Sequence, residues 1–334
     1  MSDSINKTPP RILTVIVNYR TADLVIEHFQ TLADEYRSLP GSTVVIVDNA
    51  SPGGADAPKL EAFAARPEFR DWVSVIASPD NLGFAKGNNL AIEAALKGPN
   101  PPDYVFLLNP DAYLRPGALG ALIDFMDANP DAGLVGPRLE SEDGSPHVSA
   151  FRFFTIASEF EGAARTGFVS RLLDRWRVAP PVTDEVGTAD WICGAAALIR
   201  REVFEDAGLF DGEYFLYYEE TDFMLQALRK GWRTWYLPTA RVVHIMGRSS
   251  GVVNGKLETR LTPDYWYESR GYYFRKNHGG LYAFAADLSW MAGALLYYAR
   301  SILTGPRDPS LWASIRRFAK SQFGGGLEPE RARR

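Results

Sequence analysis

The chain has 334 residues, of which 46% are hydrophobic and 23% charged, and its net charge is −5 at pH 7. This is ordinary globular composition, enough for one large domain or two smaller ones, and the negative balance gives no reason to expect nucleic-acid binding. The one cysteine, Cys193, excludes a disulfide framework and a multi-cysteine zinc site. Its apolar neighbours predict a small buried core residue.

Strands and helices are predicted to alternate in the first third of the chain. Residues 1–10 are polar and lack the apolar core of a signal peptide, so we expect a disordered N-terminus and a cytoplasmic protein. Apolar, β-branched runs predict strands at 11–18, 43–48, 73–77 and 104–108, and helices are predicted at 22–37, 56–65 and 88–96. This alternation predicts an α/β fold with a mostly parallel central sheet flanked by helices.

The pattern changes after residue 112. A helix is predicted at 116–129, mixed short strands and loops at 133–200, helices at 201–206 and 220–230, and strands at 235–237 and 240–245. Residues 281–303 are long and apolar, and a membrane span needs about 20 such residues. Asp287 inside this stretch favours a core or interfacial helix instead.

The C-terminal end of the chain is basic. Residues 315–320 suit either an anionic membrane surface or a solvated helix face, and residues 324–334 are expected to be a disordered tail.

Polar residues stand directly after two predicted strands. Asp48 ends the second strand, where its carboxylate suits either a nucleoside contact or a turn cap. The sequence Asn109-Pro-Asp111 follows the fourth strand, and it is good turn chemistry in itself. Because ligands bind outside the carboxyl ends of strands in open α/β sheets, Asp111 is also a candidate ligand for a divalent cation.

Residues 81–89 form a glycine-containing loop that opens a helix. Backbone N–H groups at such a position favour an anion, and Lys86 adds positive charge. The alternative is an ordinary connection between a strand and a helix.

An acidic cluster, Glu219, Glu220 and Asp222, lies where a helix begins. Crowded carboxylates raise one another's pKa, as a general base near neutral pH requires, but acids are also favoured at helix N-termini for their charge alone.

His244 follows an apolar strand and is either a core residue or a metal ligand beside Asp111. Residues 247–251 match the G-x-S-x-G pattern of serine hydrolases, with Ser249 central, but no convincing helix follows.

Taken together, these segments resemble the family-2 glycosyltransferases, and in particular the bacterial rhamnosyltransferase-like branch that builds cell-surface polysaccharides. The resemblance covers residues 12–250 and rests on the order of the following segments: VNYR (17–20), DNAS (48–51), NLGFAKGNN (81–89), NPD (109–111), GAAALI (194–199), FEDAGLFD (204–211), YEETD (218–222) and VH (243–244).

The resemblance implies a GT-A fold in residues 11–255, with a nucleotide-binding half at 11–112 and an acceptor-binding half at 113–255. Residues 256–323 would form a C-terminal helical extension that is a candidate for membrane contact. The resemblance also implies that a sugar is transferred from a nucleoside-diphosphate donor with inversion of configuration at the anomeric carbon. The residues expected to bind the donor are Asn18, Tyr19, Arg20, Asp48, Asn81, Gly83, Lys86 and Asn109.

The same resemblance assigns the metal, base and acceptor groups. Asp111 and His244 would hold Mg²⁺ or Mn²⁺, with Asn109 in place of the first acid of the family's metal motif. The family's base motif maps to Glu219-Glu220; Glu220 takes the aligned position, and the choice between Glu220 and Asp222 stays open. Trp191, Gly194 and Glu219 are expected near the sugar or the acceptor, although packing is the default role of an aromatic residue.

We therefore expect a metal-dependent inverting transferase, with dTDP-L-rhamnose as the first choice of donor and UDP-hexoses next. The expected acceptor is a surface-polysaccharide or lipid-linked glycan, reached from the cytoplasm or from the inner face of the membrane. Two rival hypotheses are a glycoside hydrolase that uses Glu220 with another acid, and a non-catalytic module that binds nucleotide sugars or glycans.

Overall fold

A computed structural model of the chain describes residues 9–245, 262–304 and 309–324. The expected disordered tail lies outside the described residues except for Gly324, as does most of the expected disordered N-terminus. The hydrolase-like pattern at 247–251 and the predicted domain boundary at residue 255 also lie outside them.

The first third of the chain builds a parallel sheet in the strand order β3-β2-β1-β4. Apolar β-branched runs form these strands because both faces of the sheet are covered by helices. The elements are β1 (Ile12–Asn18), α1 (Ala22–Tyr36), β2 (Thr43–Asp48), α2 (Asp56–Ala64), β3 (Val73–Ala77), α3 (Gly83–Lys97) and β4 (Tyr104–Leu108).

Residues 112–244 extend the same sheet in the order β4-β11-β6-β12-β5, now with mixed strand directions. Strand β11 is antiparallel to β4 and β6, whereas β12 is parallel to β6. The elements are β5 (Ala112–Leu114), α4 (Ala118–Ala128), β6 (Ala132–Glu140), β7 (Pro146–His147), β8 (Ala150–Phe151), α5 (Ile156–Ala164), α6 (Gly167–Leu172), a 3-10 turn (Asp174–Trp176), β9 (Gly187–Ala189), β10 (Trp191–Ile192), β11 (Ala196–Arg200), α7 (Arg201–Ala207), α8 (Glu219–Arg229) and β12 (Arg233–His244).

Two hydrophobic cores lie on opposite faces of this sheet. Helices α1, α2 and α4 cover one face, and α3, α7 and α8 cover the other. The predicted α/β class, with a central sheet flanked by helices, is confirmed.

Several elements differ from the prediction. Helices α5 and α6 lie within residues 133–200, where only short strands and loops were predicted. Helix α3 begins at Gly83 and not near residue 88. Strand β12 runs unbroken from Arg233 to His244 although Pro238 lies within it. The register against β6 shifts between Leu237 and Arg241, which is the kind of irregularity at which a strand tolerates proline.

The C-terminal part is helical, with α9 (Asp264–His278), α10 (Gly280–Thr304) and α11 (Pro309–Phe323). A completely buried Arg270 of α9 joins Glu159 of α5 at 2.7 Å and Asp287 of α10 at 2.5 Å. Asp287 is thus the partner of a buried arginine and fixes α10 against the protein. No helix in the described ranges is both long and apolar enough to cross a membrane.

Candidate active site at the carboxyl ends of the parallel strands

The loops after β1 and β2 are tied together by Asn18. Its amide nitrogen donates to Asp48 Oδ1 at 2.8 Å and to Asp56 Oδ2 at 3.0 Å, and its oxygen accepts from the hydroxyl of Thr21 at 2.9 Å. The side chain is completely buried. The structure therefore differs from the prediction of a direct nucleoside contact, because each polar atom of this side chain is already used to hold the loops.

Asp48 is almost as deeply buried, and its carboxylate accepts hydrogen bonds from Asn18 and from the Ser51 hydroxyl, the latter at 2.6 Å. This is the turn-capping geometry that was the alternative interpretation of Asp48. The neighbouring Tyr19 is half-buried and Arg20 is exposed, so these two side chains are the accessible ones after β1. Arg20 has a left-handed backbone with φ of 62°, a conformation that residues other than glycine seldom adopt outside constrained sites.

Asn49, a residue that the sequence analysis did not single out, connects β2 to the start of α3. Its amide nitrogen donates to Asn81 Oδ1 at 3.1 Å and to the Gly83 carbonyl at 3.0 Å, and its oxygen accepts from the Leu82 N–H at 2.9 Å. Its place beside Asp48 in the second strand-end segment was the available signal.

Gly83 allows a close approach between two backbone segments. A Cβ atom on Gly83 would lie 2.0 Å from the carbonyl oxygen of Phe215, and the Phe84 N–H donates to that same oxygen at 2.9 Å. The Gly83 N–H is also occupied, by Asn81 Oδ1 at 3.1 Å. The anion cradle predicted from backbone N–H groups is therefore not formed by these two donors, whereas Lys86 of the same turn is exposed.

Asp111 and His244 meet at the end of β4, as the sequence predicted. The Nε2 atom of His244 lies 3.3 Å from Oδ1 of Asp111, which is completely buried. Pairing of His244 with Ala112 across β12 and β5 brings them together, and the Ile245 N–H donates to the Asp111 carbonyl at 2.9 Å. Within the ranges that the structure describes, no three acidic, histidine or cysteine side chains converge in the manner of a metal site.

Asn109 lies on the approach to this pair. It is half-buried, and its backbone N–H donates to the Ala195 carbonyl at 2.9 Å, which holds the turn after β4 against the start of β11.

Glu219 and Glu220 begin helix α8 after two residues with left-handed backbones, Tyr217 and Tyr218, both with φ of 69°. Glu219 is almost completely buried, and Glu220 is half-buried. Burial raises the pKa of Glu219 well above its usual value, and the negative charge of Glu220 raises it further. Burial also raises the pKa of Glu220, although hydrogen bonds that include the Gly194 N–H oppose the rise.

Gly194 and Cys193 lie close to Glu220. A Cβ atom on Gly194 would lie 3.2 Å from the Phe84 ring, which is tight, and 3.8 Å from Glu220 Oε1, which is an ordinary contact. Burial raises the pKa of the half-buried Cys193 thiol to about 12, and the charges of Glu220 and Asp111 add to the rise. Cys193 therefore packs against the core, as its sequence context predicted, although it is only half-buried and also lies near these acidic groups.

Asp222 faces away from this pair of glutamates. It is almost completely buried and accepts hydrogen bonds from Lys276 Nζ and Asn277 Nδ2, each at 2.6 Å, and from Gln226 at 3.3 Å. The Asp222 carboxylate is held by α9, whereas a carboxylate that acts as the base must reach the hydroxyl group of the acceptor. The geometry therefore favours Glu220 over Asp222 as the base.

Helix α9 braces the segment that leads into α8. Lys276 also contacts Asp211 at 2.8 Å, Tyr272 donates to Asp211 at 2.9 Å, and the Ser269 hydroxyl donates to the Leu216 carbonyl at 3.0 Å. Burial is the largest single influence on Asp211 and opposes its ionisation, but the hydrogen bonds from Lys276, the Glu213 N–H and Tyr272 together outweigh it, so the pKa of Asp211 is lowered.

Trp191 is used in packing. Its ring stacks on Phe151 with 4.2 Å between centroids, and its indole N–H donates to the Arg152 carbonyl at 2.9 Å. Trp191 thus takes the default packing role of an aromatic residue while half-buried, and its contact with a sugar stays a prediction.

A family model described as "Glycosyl transferase family 2" matches residues 14–208, more than half of the chain. The protein is a family-2 glycosyltransferase. The match ends before Glu219, His244 and the C-terminal helices.

The relatives of this glycosyltransferase include rhamnosyltransferases. It is 30% identical over 221 residues to an N-acetylglucosaminyl-diphospho-decaprenol L-rhamnosyltransferase of Mycobacterium tuberculosis, covering 63% of this chain and 68% of the relative. It is 24% identical over 272 residues to the dTDP-rhamnosyl transferase RfbF of Shigella flexneri, covering 80% and 81%. The resemblance to the rhamnosyltransferase-like branch is confirmed.

Solved structures confirm the GT-A fold. The mannosyltransferase PcManGT of Pyrobaculum calidifontis, in complex with GDP-Man and Mn²⁺, superposes with a TM-score of 0.54 at 17% identity, covering 94% of this chain and 81% of that one. Residues 1–349 of S. aureus TarS, in complex with UDP-GlcNAc, give a TM-score of 0.51 at 15% identity, covering 88% and 73%.

Proposed function

We propose that this glycosyltransferase moves L-rhamnose from dTDP-L-rhamnose, with inversion, to a lipid-linked or surface-polysaccharide glycan. The observation that carries the proposal is the arrangement of two pairs, Asp111 with His244 after β4 and Glu219 with Glu220 at the start of α8. Residues 194–195 connect them, because the Ala195 carbonyl accepts from the Asn109 N–H and Gly194 lies beside Glu220. One pair suits a diphosphate with its cation, and the other suits an acceptor hydroxyl. The names of the relatives support rhamnose as the sugar and a decaprenol-linked type of acceptor.

Glu220 is the proposed base. It is half-buried beside the Gly194 backbone, and its raised pKa makes it a stronger proton acceptor than an ordinary carboxylate. The raised pKa of Glu219 keeps that neighbour protonated at a higher pH, so that the pair carries one negative charge where two would repel. Glu220 takes the proton of the acceptor hydroxyl as its oxygen attacks the anomeric carbon from the side opposite the diphosphate. The bond from that carbon to the diphosphate oxygen breaks, which inverts the configuration.

Asp111 and His244 are the proposed holders of Mg²⁺ or Mn²⁺. A carboxylate oxygen and an imidazole nitrogen 3.3 Å apart are groups that would suit a shared divalent ion. When bound, the ion neutralises the charge that develops on the departing nucleoside diphosphate. The Mn²⁺ in the PcManGT complex supports this assignment.

The exposed Arg20 and Lys86 are the proposed cationic groups for the donor. They stand on the loop after β1 and on the first turn of α3, at the edge of the sheet where the carboxyl ends of β1 and β2 lie. Tyr19 beside Arg20 offers a half-buried ring for the nucleoside, and Asn109 lies next to the cation ligands. Asn18, Asp48 and Asn81 support this site by holding its loops.

The deciding experiment combines turnover with ligand binding. Glu220→Gln should lower kcat by about 10²–10⁴-fold because the base is lost. Stabilisation by dTDP or dTDP-L-rhamnose with Mn²⁺, measured as a thermal shift, should remain. Glu213→Gln, at an exposed acid in the same segment, is the matched control and should keep full turnover.

Other outcomes would point to the rival hypotheses. Metal-dependent stabilisation by UDP species alone would replace the donor with a UDP-hexose. Hydrolysis of a glycoside without nucleotide or metal would indicate a hydrolase. Nucleotide-sugar binding with no turnover in the wild type, and no effect of Glu220→Gln on binding, would indicate a binding module.

A further inference from the structure

The two last helices carry an exposed apolar surface, which we call the α10–α11 surface. It consists of Leu281, Phe284, Leu288 and Leu295 of α10 and Trp312 and Phe323 of α11, with exposed fractions from 43% to 90%. On α10 the members recur every three, four or seven residues, so they form one stripe along the helix. The opposite side of α10 is buried against α5 and α9.

The surface is continuous across the two helices. The rings of Phe284 and Phe323 meet edge to face with 6.1 Å between centroids, and the Tyr298 ring lies 5.3 Å from that of Trp312. The start of α10 thus lies beside the end of α11, and the two helices run antiparallel. The exposed side chains of both helices therefore present one apolar face.

Positive charge accompanies this face. Arg316 and Lys320 are exposed and follow Trp312 at intervals of four residues, which places them on the same side of α11. Among the described residues of α10 and α11, Asp287 is the one carboxylate, and it is buried in its ion pair with Arg270. In a chain with a net charge of −5, these helices expose basic and no acidic side chains.

We infer that the α10–α11 surface docks this glycosyltransferase onto an anionic lipid bilayer. Exposed leucine and phenylalanine side chains, an exposed tryptophan and neighbouring arginine and lysine are the composition of a helix that lies in the plane of a membrane interface. The basic side chains complement the charge of anionic headgroups.

A second copy of the chain is the less suitable occupant. The seven-residue spacing of Leu281, Leu288 and Leu295 would suit a helix pair. Two such surfaces, however, would bring Arg316 and Lys320 of each copy together with no exposed acid on these helices to compensate. Like charges at an interface cost affinity, whereas anionic headgroups remove that cost.

Docking would place the bilayer one helix away from the proposed base. Helix α9 contacts α8 through Lys276 and Asp222, and it contacts α10 through Arg270 and Asp287. An acceptor anchored in the same membrane would then be presented close to α8. This consequence, but not the membrane binding itself, rests on the proposed function.

The test is co-sedimentation of the full chain with vesicles of phosphatidylcholine alone and of phosphatidylcholine mixed with an equal amount of phosphatidylglycerol. Binding to the anionic vesicles and its loss with rising ionic strength are expected. The double variant Arg316→Gln/Lys320→Gln should bind about 25-fold more weakly, at about fivefold per charge. Leu288→Glu should lose about tenfold or more, because a charge enters the apolar stripe.

Leu228→Glu is the matched control, because Leu228 is also half-exposed on a helix, on α8, but lies outside the surface. It should bind vesicles as the wild type does, and circular dichroism should show that all variants fold. The inference is overturned if the wild type does not bind anionic vesicles, or if Leu288→Glu binds as the control does. It is equally overturned if the wild type is a dimer that ignores vesicles and that Leu288→Glu converts to a monomer. Since vesicle binding needs no turnover, failure here leaves the proposed transferase activity standing.

Discussion

Replacing Lys276 with methionine should destabilise the protein through Asp222. The Nζ atom of Lys276 lies 2.6 Å from Asp222 Oδ2 and 2.8 Å from Asp211 Oδ2. Removing one partner of a buried ion pair costs about 3–5 kcal/mol. Asp222 would keep its hydrogen bonds from Asn277 and Gln226, and the Lys276 side chain is 30% exposed, so we expect the low end, about 3 kcal/mol of the free energy of unfolding.

Urea unfolding of a double-mutant cycle measures this coupling. Lys276→Met and Asp222→Asn should each destabilise, and the double variant should lose less than the sum, because each single change already removes the pair. Lys230→Met, at an exposed lysine that ends α8, is the control and should change the free energy of unfolding by about 0.5 kcal/mol or less. Turnover should fall with each destabilising change, while donor binding at the β1 and β2 loops persists.

The contributions of Asp211 and Lys276 to the free energy of unfolding depend on pH with a defined sign. The pKa of Asp211 is lowered and that of Lys276 is raised in the folded protein. The contribution of Asp211 is thus present above the ordinary aspartate pKa of about 3.9 and is lost as the pH falls through the lowered pKa. That of Lys276 is present below about 10.4 and is lost as the pH rises through the raised pKa. An Asp222→Asn variant with wild-type stability but no turnover would refute this reasoning and make Asp222 the base.

Three further predictions follow from the same site. Gly83→Ala should cost about 2 kcal/mol or more of the free energy of unfolding, because its Cβ would meet the Phe215 carbonyl. The control is Gly53→Ala, which has a similar φ and no atom within 4 Å of its Cβ, and it should cost about 1 kcal/mol. Chemical denaturation distinguishes the two variants, and equal losses would contradict the steric argument. Glu219→Gln should stabilise the protein at neutral pH, because a carboxyl group whose pKa is raised in the folded protein makes stability fall as the pH rises above about 4.5. Thermal melting is measured across pH for the variant and the wild type. If the melting temperatures coincide at every pH, Glu219 is not a buried, protonated group. Cys193 should react slowly with a thiol reagent at pH 8 in the native protein and fast after unfolding, because its pKa of about 12 leaves little thiolate; rapid native labelling would contradict the assigned surroundings.

The parts of the fold that the sequence predicted are those in which local pattern and final environment agree. Strands β1, β2, β3 and β4 are continuous apolar runs because helices cover both faces of the sheet, and such runs can be read without knowledge of partners. The start of α3 was misplaced because Gly83, a poor helix former, begins it. Glycine is required at this position because the carbonyl of Phe215 lies against it. Phe215 is 132 positions further along the chain, so the local sequence around Gly83 does not reveal this contact.

The same distinction applies to the candidate site. His244 was predicted to join Asp111 because each follows an apolar strand and because the resemblance to the family makes both candidate metal ligands; in the structure the pairing of β12 with β5 brings them together. Asp222 was left level with Glu220 because both begin the same helix. The difference between the two acids is that Lys276 and Asn277 of α9 donate hydrogen bonds to Asp222. These contacts depend on where α9 packs, which the local sequence around Asp222 does not reveal. Contacts between residues so far apart in the chain are set by the tertiary fold. Two acids with similar local sequence, Glu220 and Asp222, can therefore have different environments.

Helix α9 links these environments because two of its cations point in different directions. Arg270 and Lys276 are six residues apart, and at about 100° per residue their side chains leave the helix about 120° apart. One reaches Glu159 and Asp287, and the other reaches Asp211 and Asp222. A buried cation without its carboxylates is costly, so neither face of α9 can separate from its partners cheaply. The helix that holds the segment before Glu219 is therefore held by the helix that carries the apolar surface. Loosening Arg270 by Asp287→Asn should then lower turnover as well as stability, although Asp287 lies on a different helix from every proposed catalytic group.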